Sequence, residues 1–417
     1  MCGRNFILTG CLAGAFTVLM SAGVLYLWWT AAPDVPIPSA PPPPPDNAYH
    51  AYRQLVEKTI ELQSRVSNLA QLEQQATAPG ASADVIRRYV AIYEPIRREI
   101  RRLVSQPCMY ADEPMDFMMR QQSVFRTWAR VESEDIQCAF MEGDHYRAIE
   151  NLRTVLLLTE QVSRGAPLVR FLTGQAMISS AVTPIAERVA SLDARECDRV
   201  VSVVREWEQV RAPFREVLEN EKRVTIAMYH AMWQGGERLQ QLFGTGAQVA
   251  ARPEQLATRL ANLRRATRET VELYDHAIAE AQKPVTQWQP VRPAKHPLNQ
   301  QLPEVLNNAR QISAASIARL RMLGCVAAVR AYYLRTGRYP LILAEAGVDD
   351  LNNDPFTGHG FIYRQTERGF VLYSVGPDGK DDGGKSVPVK DLLRVPGDLT
   401  LRSPSTTPAP AEPGAER

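Results

Sequence analysis

Near its C-terminal end the chain reads Thr336-Gly337-Arg338-Tyr339-Pro340, then Asp354-Pro355-Phe356-Thr357-Gly358, then Leu372-Tyr373-Ser374-Val375-Gly376-Pro377-Asp378-Gly379-Lys380-Asp381-Asp382-Gly383-Gly384. Pro303 suits the first turn of a helix, because its missing N–H would have had no intrahelical partner there. From Pro303 a helix is predicted to run to about Thr336, with Leu320, Leu323, Ala327, Ala331 and Leu334 forming one apolar stripe that needs a partner surface. Gly337 stands where a left-handed cap is needed and Pro340 prevents the helix from resuming. Residues 361–365 and 370–374 are short, rich in aromatic and β-branched residues, and separated by residues 366–369, which is a hairpin signal. The hairpin is predicted to cover the helical stripe.

Upstream, residues 48–283 read as helix almost throughout. Leu55, Thr59, Leu62, Val66 and Leu69 follow a 4-3-4-3 spacing that places one stripe on a helix. Pro79-Gly80 interrupts, and Ser82 is placed to cap a helix over residues 83–105. That helix carries Arg87, Arg88, Arg97, Arg98, Arg101 and Arg102 among Glu94 and Glu99, which reads as a solvated face. In Gly143-Asp144-His145-Tyr146-Arg147-Ala148-Ile149-Glu150-Asn151-Leu152, Ala148 permits close helix approach, with Tyr146, Ile149 and Leu152 on the packing side. The segment is similar to the first helix of a tetratricopeptide repeat, but no second copy follows at that period, so a single helix hairpin is predicted. Further helices are predicted over 167–190, 193–234 and 253–282, with Gly235-Gly236 and Gly244-Thr245-Gly246 between the last two. Pro284, Pro290, Pro293 and Pro297 mark residues 284–302 as a spacer, because proline cannot continue a helix.

The N-terminal residues bear on compartment. Residues 6–29 are uncharged and mostly apolar, long enough to cross a hydrocarbon core of about 30 Å, and end on Trp28-Trp29, whose rings favour the interface. Arg4 precedes the run, whereas Asp34 and Asp46 follow it before the next basic residue, Arg53. The positive-inside rule then puts the N-terminus in the cytoplasm and the bulk of the chain outside it. Ser21-Ala22-Gly23 and Thr30-Ala31-Ala32 offer small-residue cleavage sites, and Leu8-Thr9-Gly10-Cys11 resembles a lipoprotein box. The length of the apolar run favours an uncleaved single-pass anchor over both. Residues 31–47, with a proline run at 41–45, are predicted to be a stiff polyproline spacer standing the next domain off the membrane by up to about 50 Å.

A formal net charge of +2 over 417 residues gives no basic field of the kind that binds nucleic acid. Cys108, Cys138, Cys197 and Cys325 are widely spaced with no Cys-x-x-Cys; an oxidising compartment permits disulfides among them, and buried free thiols are the favoured reading. The six histidines are scattered without a helical metal pair, and no nucleophile elbow, zincin motif or phosphate loop is present. No catalytic or cofactor-binding residue is therefore assigned from sequence. A hydrolase built from carboxylates of the helical region remains an open reading.

Taken in order, Gly337-Arg338-Tyr339-Pro340, Asp354-Pro355-Phe356, Tyr363-Arg364 and Leu372-Tyr373-Ser374-Val375-Gly376 with Asp378-Gly379 resemble the globular part of the major pseudopilin of type II secretion. The resemblance spans residues 319–384 and implies a helix packed on a small antiparallel sheet, at a bacterial envelope. It also implies a Ca²⁺-binding loop after the last motif, where Asp378, Asp381 and Asp382 are the candidate ligands. No Asn-Ala-Asp-like segment follows Gly384, Lys380 occupies an EF-hand ligand position, and Val389 stands where the closing Glu would be. A metal-free, glycine-rich turn is the competing reading. Gly14-Ala15-Phe16-Thr17-Val18 lacks the acidic residue of a pseudopilin start.

The fold expected is mainly α: an N-terminal transmembrane helix (1–30), a proline-rich linker (31–47), a helical bundle domain (48–283), a proline-rich spacer (284–302), a pseudopilin-like α+β module (303–395) and a disordered tail (396–417). The function expected is a structural or protein-interaction role in the bacterial inner membrane. There the chain would contact lipid through residues 6–29 and meet envelope or secretion-system proteins. The alternative is a component or accessory of a type II secretion or type IV pilus-like machine.

Overall fold

The computed structural model describes residues 32–110, 115–234, 262–367, 369–385 and 397–401. The anchor expected at residues 1–30 lies outside the described residues. The fold is mainly helical with one small antiparallel sheet. In chain order the helices are α1 (Tyr49–Arg65), α2 (Leu69–Ala76), α3 (Ala83–Leu103), α4 (Met115–Met141), α5 (His145–Ser163), α6 (Leu168–Arg188), α7 (Ala194–Val210), α8 (Phe214–Gln234), α9 (Leu263–Glu280) and α10 (Leu302–Thr336). Strands β1 (Ile362–Thr366) and β2 (Gly369–Tyr373) come next, pairing antiparallel with Ile362 opposite Tyr373 and Thr366 opposite Gly369.

Helix α10 starts and stops as its sequence dictates. Pro303 lies in its first turn, and Gly337, at φ 76°, donates its N–H to the Tyr333 carbonyl at 2.8 Å. Between those ends Leu320, Leu323, Ala327 and Ala331 are buried, while Leu334 is 41% exposed. The partner surface differs from the expected one: α6 and α7 cover the helix, and the hairpin approaches its last turn. There Tyr333 stacks on Tyr339 at 4.5 Å, and Tyr339 contacts Phe370 at 5.5 Å. The reason is that α10 is apolar well beyond one stripe, with Leu306, Ala309, Ala314, Ala318, Met322, Cys325 and Val329 also buried, so a two-stranded sheet cannot enclose it. Segment Pro297–Thr336 is long and apolar enough by length and composition to span a bilayer, yet the protein itself buries 78% of its most apolar window.

Small residues bring the helices close. A Cβ at Gly174 of α6 would lie 2.7 Å from both Thr159 Cγ2 and Ser163 Oγ of α5. One at Gly324 of α10 would lie 2.6 Å from Leu351 Cδ1 and 3.5 Å from Val204 Cγ1 of α7. The α4–α5 turn is the expected helix hairpin: Gly143 takes φ 74°, Asp144 accepts from the Arg147 N–H at 3.1 Å, and Ala148, Ile149 and Leu152 are buried. Tyr146, expected on the packing side, is 64% exposed instead. The four cysteines of the described residues are free and buried.

Other expectations shift. The first stripe is split between two helices at Val66-Ser67-Asn68, where Val66 is extended (φ −96°, ψ 98°) and Ser and Asn favour turns over helix interior. Residues 193–234 form two helices rather than one, because Pro213 has no N–H to continue α7. Ser82 does cap α3, accepting from the Val85 N–H at 3.4 Å.

The proline-rich segments pack rather than project. In residues 284–302 the Val285 and Thr286 N–H groups donate to the Pro355 and Phe356 carbonyls at 3.2 and 2.9 Å, and Val291 and Asn299 are buried. A single hydrophobic cluster joins α1, α3–α7 and α10 to Phe356 and Phe361, so the core runs across this segment. Residues 397–401, expected as the start of a tail, return to the sheet: Ser374 and Leu399 exchange N–H···O bonds at 3.0 and 2.8 Å, with Asp398 and Leu399 fully buried. Residues 402–417 lie outside the described residues.

One member of the supposedly solvated arginine face is in the core. Arg97 is 5% exposed and donates Nε and Nη2 to the Glu132 carboxylate at 2.9 and 2.8 Å. Its Nη2 also reaches Asp135 Oδ2 at 2.6 Å, which in turn accepts from Asn151 Nδ2 at 2.8 Å. Burial alone would lower the Arg97 pKa; Glu132 and Asp135 overcome it and hold the guanidinium above the ordinary arginine value. The signal was in the register: Ile86, Val90, Tyr93, Arg97 and Ile100 continue one 3–4 spacing. Truncating one member of such a cluster leaves an unpaired buried charge, typically costing about 3–5 kcal/mol. Arg97→Met is therefore expected to lower the stability read from urea unfolding by that much, with partial recovery on adding Glu132→Gln and Asp135→Asn. An unchanged midpoint would contradict the cluster's place in the core.

Candidate functional site

The Asp354-Pro355-Phe356 turn and the end of β2 are joined by a buried clasp. Asp354 is 1% exposed; its carboxylate accepts from Ser374 Oγ at 2.8 Å and from the Phe356 N–H at 2.9 Å. Ser374 Oγ accepts in turn from the Gly376 N–H at 3.1 Å. Burial raises the Asp354 pKa against the pull of these donors. The clasp explains why Asp, Phe and Ser stand at these positions: a short acceptor, an apolar plug and a hydroxyl that both donates and accepts.

The aspartate-rich turn beyond it is organised by a residue that sequence reading placed in the tail. Asp398 accepts from the Asp382 N–H at 3.3 Å and the Gly384 N–H at 2.6 Å, while its own N–H donates to the Lys385 carbonyl at 3.0 Å. Asp381 accepts from Tyr373 Oη at 2.7 Å, the Gly383 N–H at 2.9 Å and Arg364 Nη2 at 3.0 Å. The Tyr373 hydroxyl is the first cause holding the Asp381 carboxyl below its ordinary range. Asp378 is exposed and accepts from the Lys380 N–H at 3.2 Å.

Asp378, Asp381 and Asp382 share one turn; a calcium cage would need six to eight converging oxygens. The oxygens of Asp381 are engaged by protein donors and a guanidinium stands beside it. Among the described residues no group of three or more His, Cys, Asp or Glu side chains is placed to hold a metal ion.

Exposed apolar side chains gather around this part of the chain. Leu341 and Ile342 are 66% and 60% exposed, just after the end of α10, with Leu334 at 41% and Val371 of β2 at 40%. Tyr363 Oη and Gln365 Nε2 both donate to the Pro340 carbonyl, at 2.8 and 2.9 Å, which fixes the turn that presents Leu341 and Ile342.

Several other ionisable groups of the described residues have protein partners. Among the histidines, His145 Nδ1 meets Glu196 at 3.0 Å, His230 Nε2 the Val35 carbonyl at 2.8 Å and His276 Nε2 the Gln289 carbonyl at 2.9 Å. A hollow of about 280 Å³ between α7 and α10 is lined by Arg335 and Arg205, which pair with Asp198 and Asp350. A larger hollow of about 440 Å³ is lined by Pro42, Pro44, Cys108, Met109, Glu160 and Arg164, among others. There Glu160 accepts from Trp207 Nε1 and the Ala212 N–H, each at 2.9 Å, yet burial pushes its pKa up to about 7. Burial also pushes the Cys108 thiol up to about 12, which disfavours the thiolate. Glu134, buried on α4, is likewise pushed up to about 7.

Two outcomes are expected from these charges. Asp398→Ala strands two backbone donors, so it should cost about 1–3 kcal/mol, and millimolar Ca²⁺ should leave the melting temperature unchanged in wild type. A calcium-induced rise of several degrees would show that the turn does assemble a cation site. For Glu134 and Glu160 the folded pKa lies above the ordinary value of 4.5. Their stabilising contribution is therefore complete below about 4.5 and lost as pH rises through about 7, at up to ~1.4 kcal/mol per pH unit each. Relative to a Glu134→Gln/Glu160→Gln variant, wild type should lose stability between pH 5 and pH 8 in thermal melts; a constant difference would contradict this. Compared with protein-family models, with curated proteins and with solved structures, the chain matches none of them.

Proposed function

We propose that this is a single-pass protein of the bacterial inner membrane whose folded part, outside the cytoplasm, works by binding other proteins rather than by catalysis. The observation that carries the reading is the exposed Leu341–Ile342 pair, presented on a turn fixed by Tyr363 and Gln365. Solvated apolar side chains on a rigid support are what a protein-binding surface requires. The uncharged run at residues 6–29, with Arg4 before it and Asp34 after it, supports the anchor and its direction. The protein partners of His145, His230 and His276 and the Arg335–Asp198 and Arg205–Asp350 pairs support scaffolding over chemistry.

A second reading, an accessory of a type II secretion or pilus-like machine, is favoured by one specific feature. The helix, αL glycine cap, aspartate turn and hairpin follow one another in the order that the pseudopilin resemblance implies. In that reading the same Leu341–Ile342 turn is the contact surface.

Photo-crosslinking in intact cells tests both. A crosslinking residue at Leu341 or Ile342 is expected to trap a protein adduct that one at exposed Tyr146 does not. Secretion-machine subunits in the adduct would select the second reading. Equal, background-level yields at all three positions would overturn the interaction role.

A further inference from the structure

Residues 32–47, which composition casts as a spacer, are fastened along the flank of the bundle at both ends. At the start, the Ala32 carbonyl accepts from Arg264 Nε at 3.2 Å, and Asp34 pairs with Arg268 Nε at 3.2 Å and Arg264 Nε at 3.5 Å. The Val35 carbonyl meets His230 Nε2 at 2.8 Å. At the far end, Asn47 and Met109 exchange two hydrogen bonds, Asn47 Nδ2 to the Met109 carbonyl and the Met109 N–H to Asn47 Oδ1, each at 2.9 Å. Between them Pro42 and Pro44 border the hollow that contains Glu160. A proline-rich strap loses little conformational entropy on docking, because its backbone is already restricted.

The consequence depends on reading residues 6–29 as a membrane anchor, and on that reading the present inference rests. Only Thr30 and Ala31 lie between Trp29 and Ala32, a reach of about 10 Å over three fully extended steps. Arg264 therefore lies within about that reach, plus its own side chain, of the interfacial tryptophans.

We infer that the strap seats the α8–α9 end of the bundle on the lipid headgroups, so that this end is a membrane-contact surface. The chemistry there suits anionic lipid. Arg265 and Arg268 are exposed and Arg264 half-buried, and Asp34 pairs with both Arg264 and Arg268. Met232 and Trp233, half-buried in the last turn of α8, stand beside them and pack with Leu263; tryptophan favours the headgroup level. Leu298, just before α10, joins the same cluster. Helix α10 then runs about 52 Å at 1.5 Å per residue, so its far end, with Leu341, Ile342 and the hairpin, is carried away from this contact.

The test uses the full chain with Cys2→Ser and Cys11→Ser, reconstituted in nanodiscs of phosphatidylethanolamine and phosphatidylglycerol. A fluorophore on Gln234→Cys, at the exposed end of α8, is compared with one on Leu341→Cys, using lipids that carry a nitroxide quencher on the headgroup. Quenching at position 234 should be several-fold stronger than at 341, and Asp34→Arg should abolish the difference while the protein stays in the bilayer. Equal quenching at the two positions in a bilayer-retained protein would overturn the inference alone. Release of the protein by alkaline extraction would overturn the anchor reading and this inference with it.

Discussion

Enclosing a 35-residue helix whose apolar residues run around most of its circumference is the constraint on which the rest of the structure depends. A helix of this kind must be covered on several sides, by lipid or by protein. In this chain α6 and α7 supply the cover, and Gly174 and Gly324 remove the Cβ atoms that would hold neighbouring segments apart. Each large apolar side chain buried this way contributes about 1.5–3 kcal/mol. Because α10 lies C-terminal to every other α-helix of the described residues, the bundle cannot be completed until the chain has reached it. The α+β segment is joined to the same core through Phe356, Phe361 and Leu399.

The secondary contacts derive from that core. With α10 enclosed by helices, the hairpin is linked to its last turn through Tyr333, Tyr339 and Phe370. The Asp354–Ser374 clasp and the return of Asp398 then hold the loops that a two-stranded sheet could not hold by pairing alone. The turn after Pro340 is left solvated with two apolar side chains, and the strap of residues 32–47 fastens the opposite end. On the readings proposed above, one end of the molecule is fitted to lipid and the other to protein.

What the sequence disclosed was local. The αL cap at Gly337, the first-turn Pro303, the Ser82 cap and the hairpin were legible because each is decided by a few neighbouring residues. Long-range outcomes were not. Arg97 looks like its neighbours Arg98, Arg101 and Arg102 until α4 brings Glu132 and Asp135 against it. Asp398 stands in a segment of tail-like composition, and only the Ser374–Leu399 pairing reveals its role in the aspartate turn. The proline content of residues 31–47 points to an extended chain, but extension does not say whether that chain projects or docks. Here Asp34 and Asn47 decide it, by pairing with residues far away in sequence.

If the chain crosses the membrane once, before Ala32, then α10 is a core helix despite its hydropathy. Topology on either side of α10 tests this most directly. Reporter tags inserted at residue 300 and fused after Arg417 should both be cleaved by protease added to intact spheroplasts. Cleavage at 300 with protection at the C-terminal tag would mean that α10 crosses the membrane, and would contradict the single crossing.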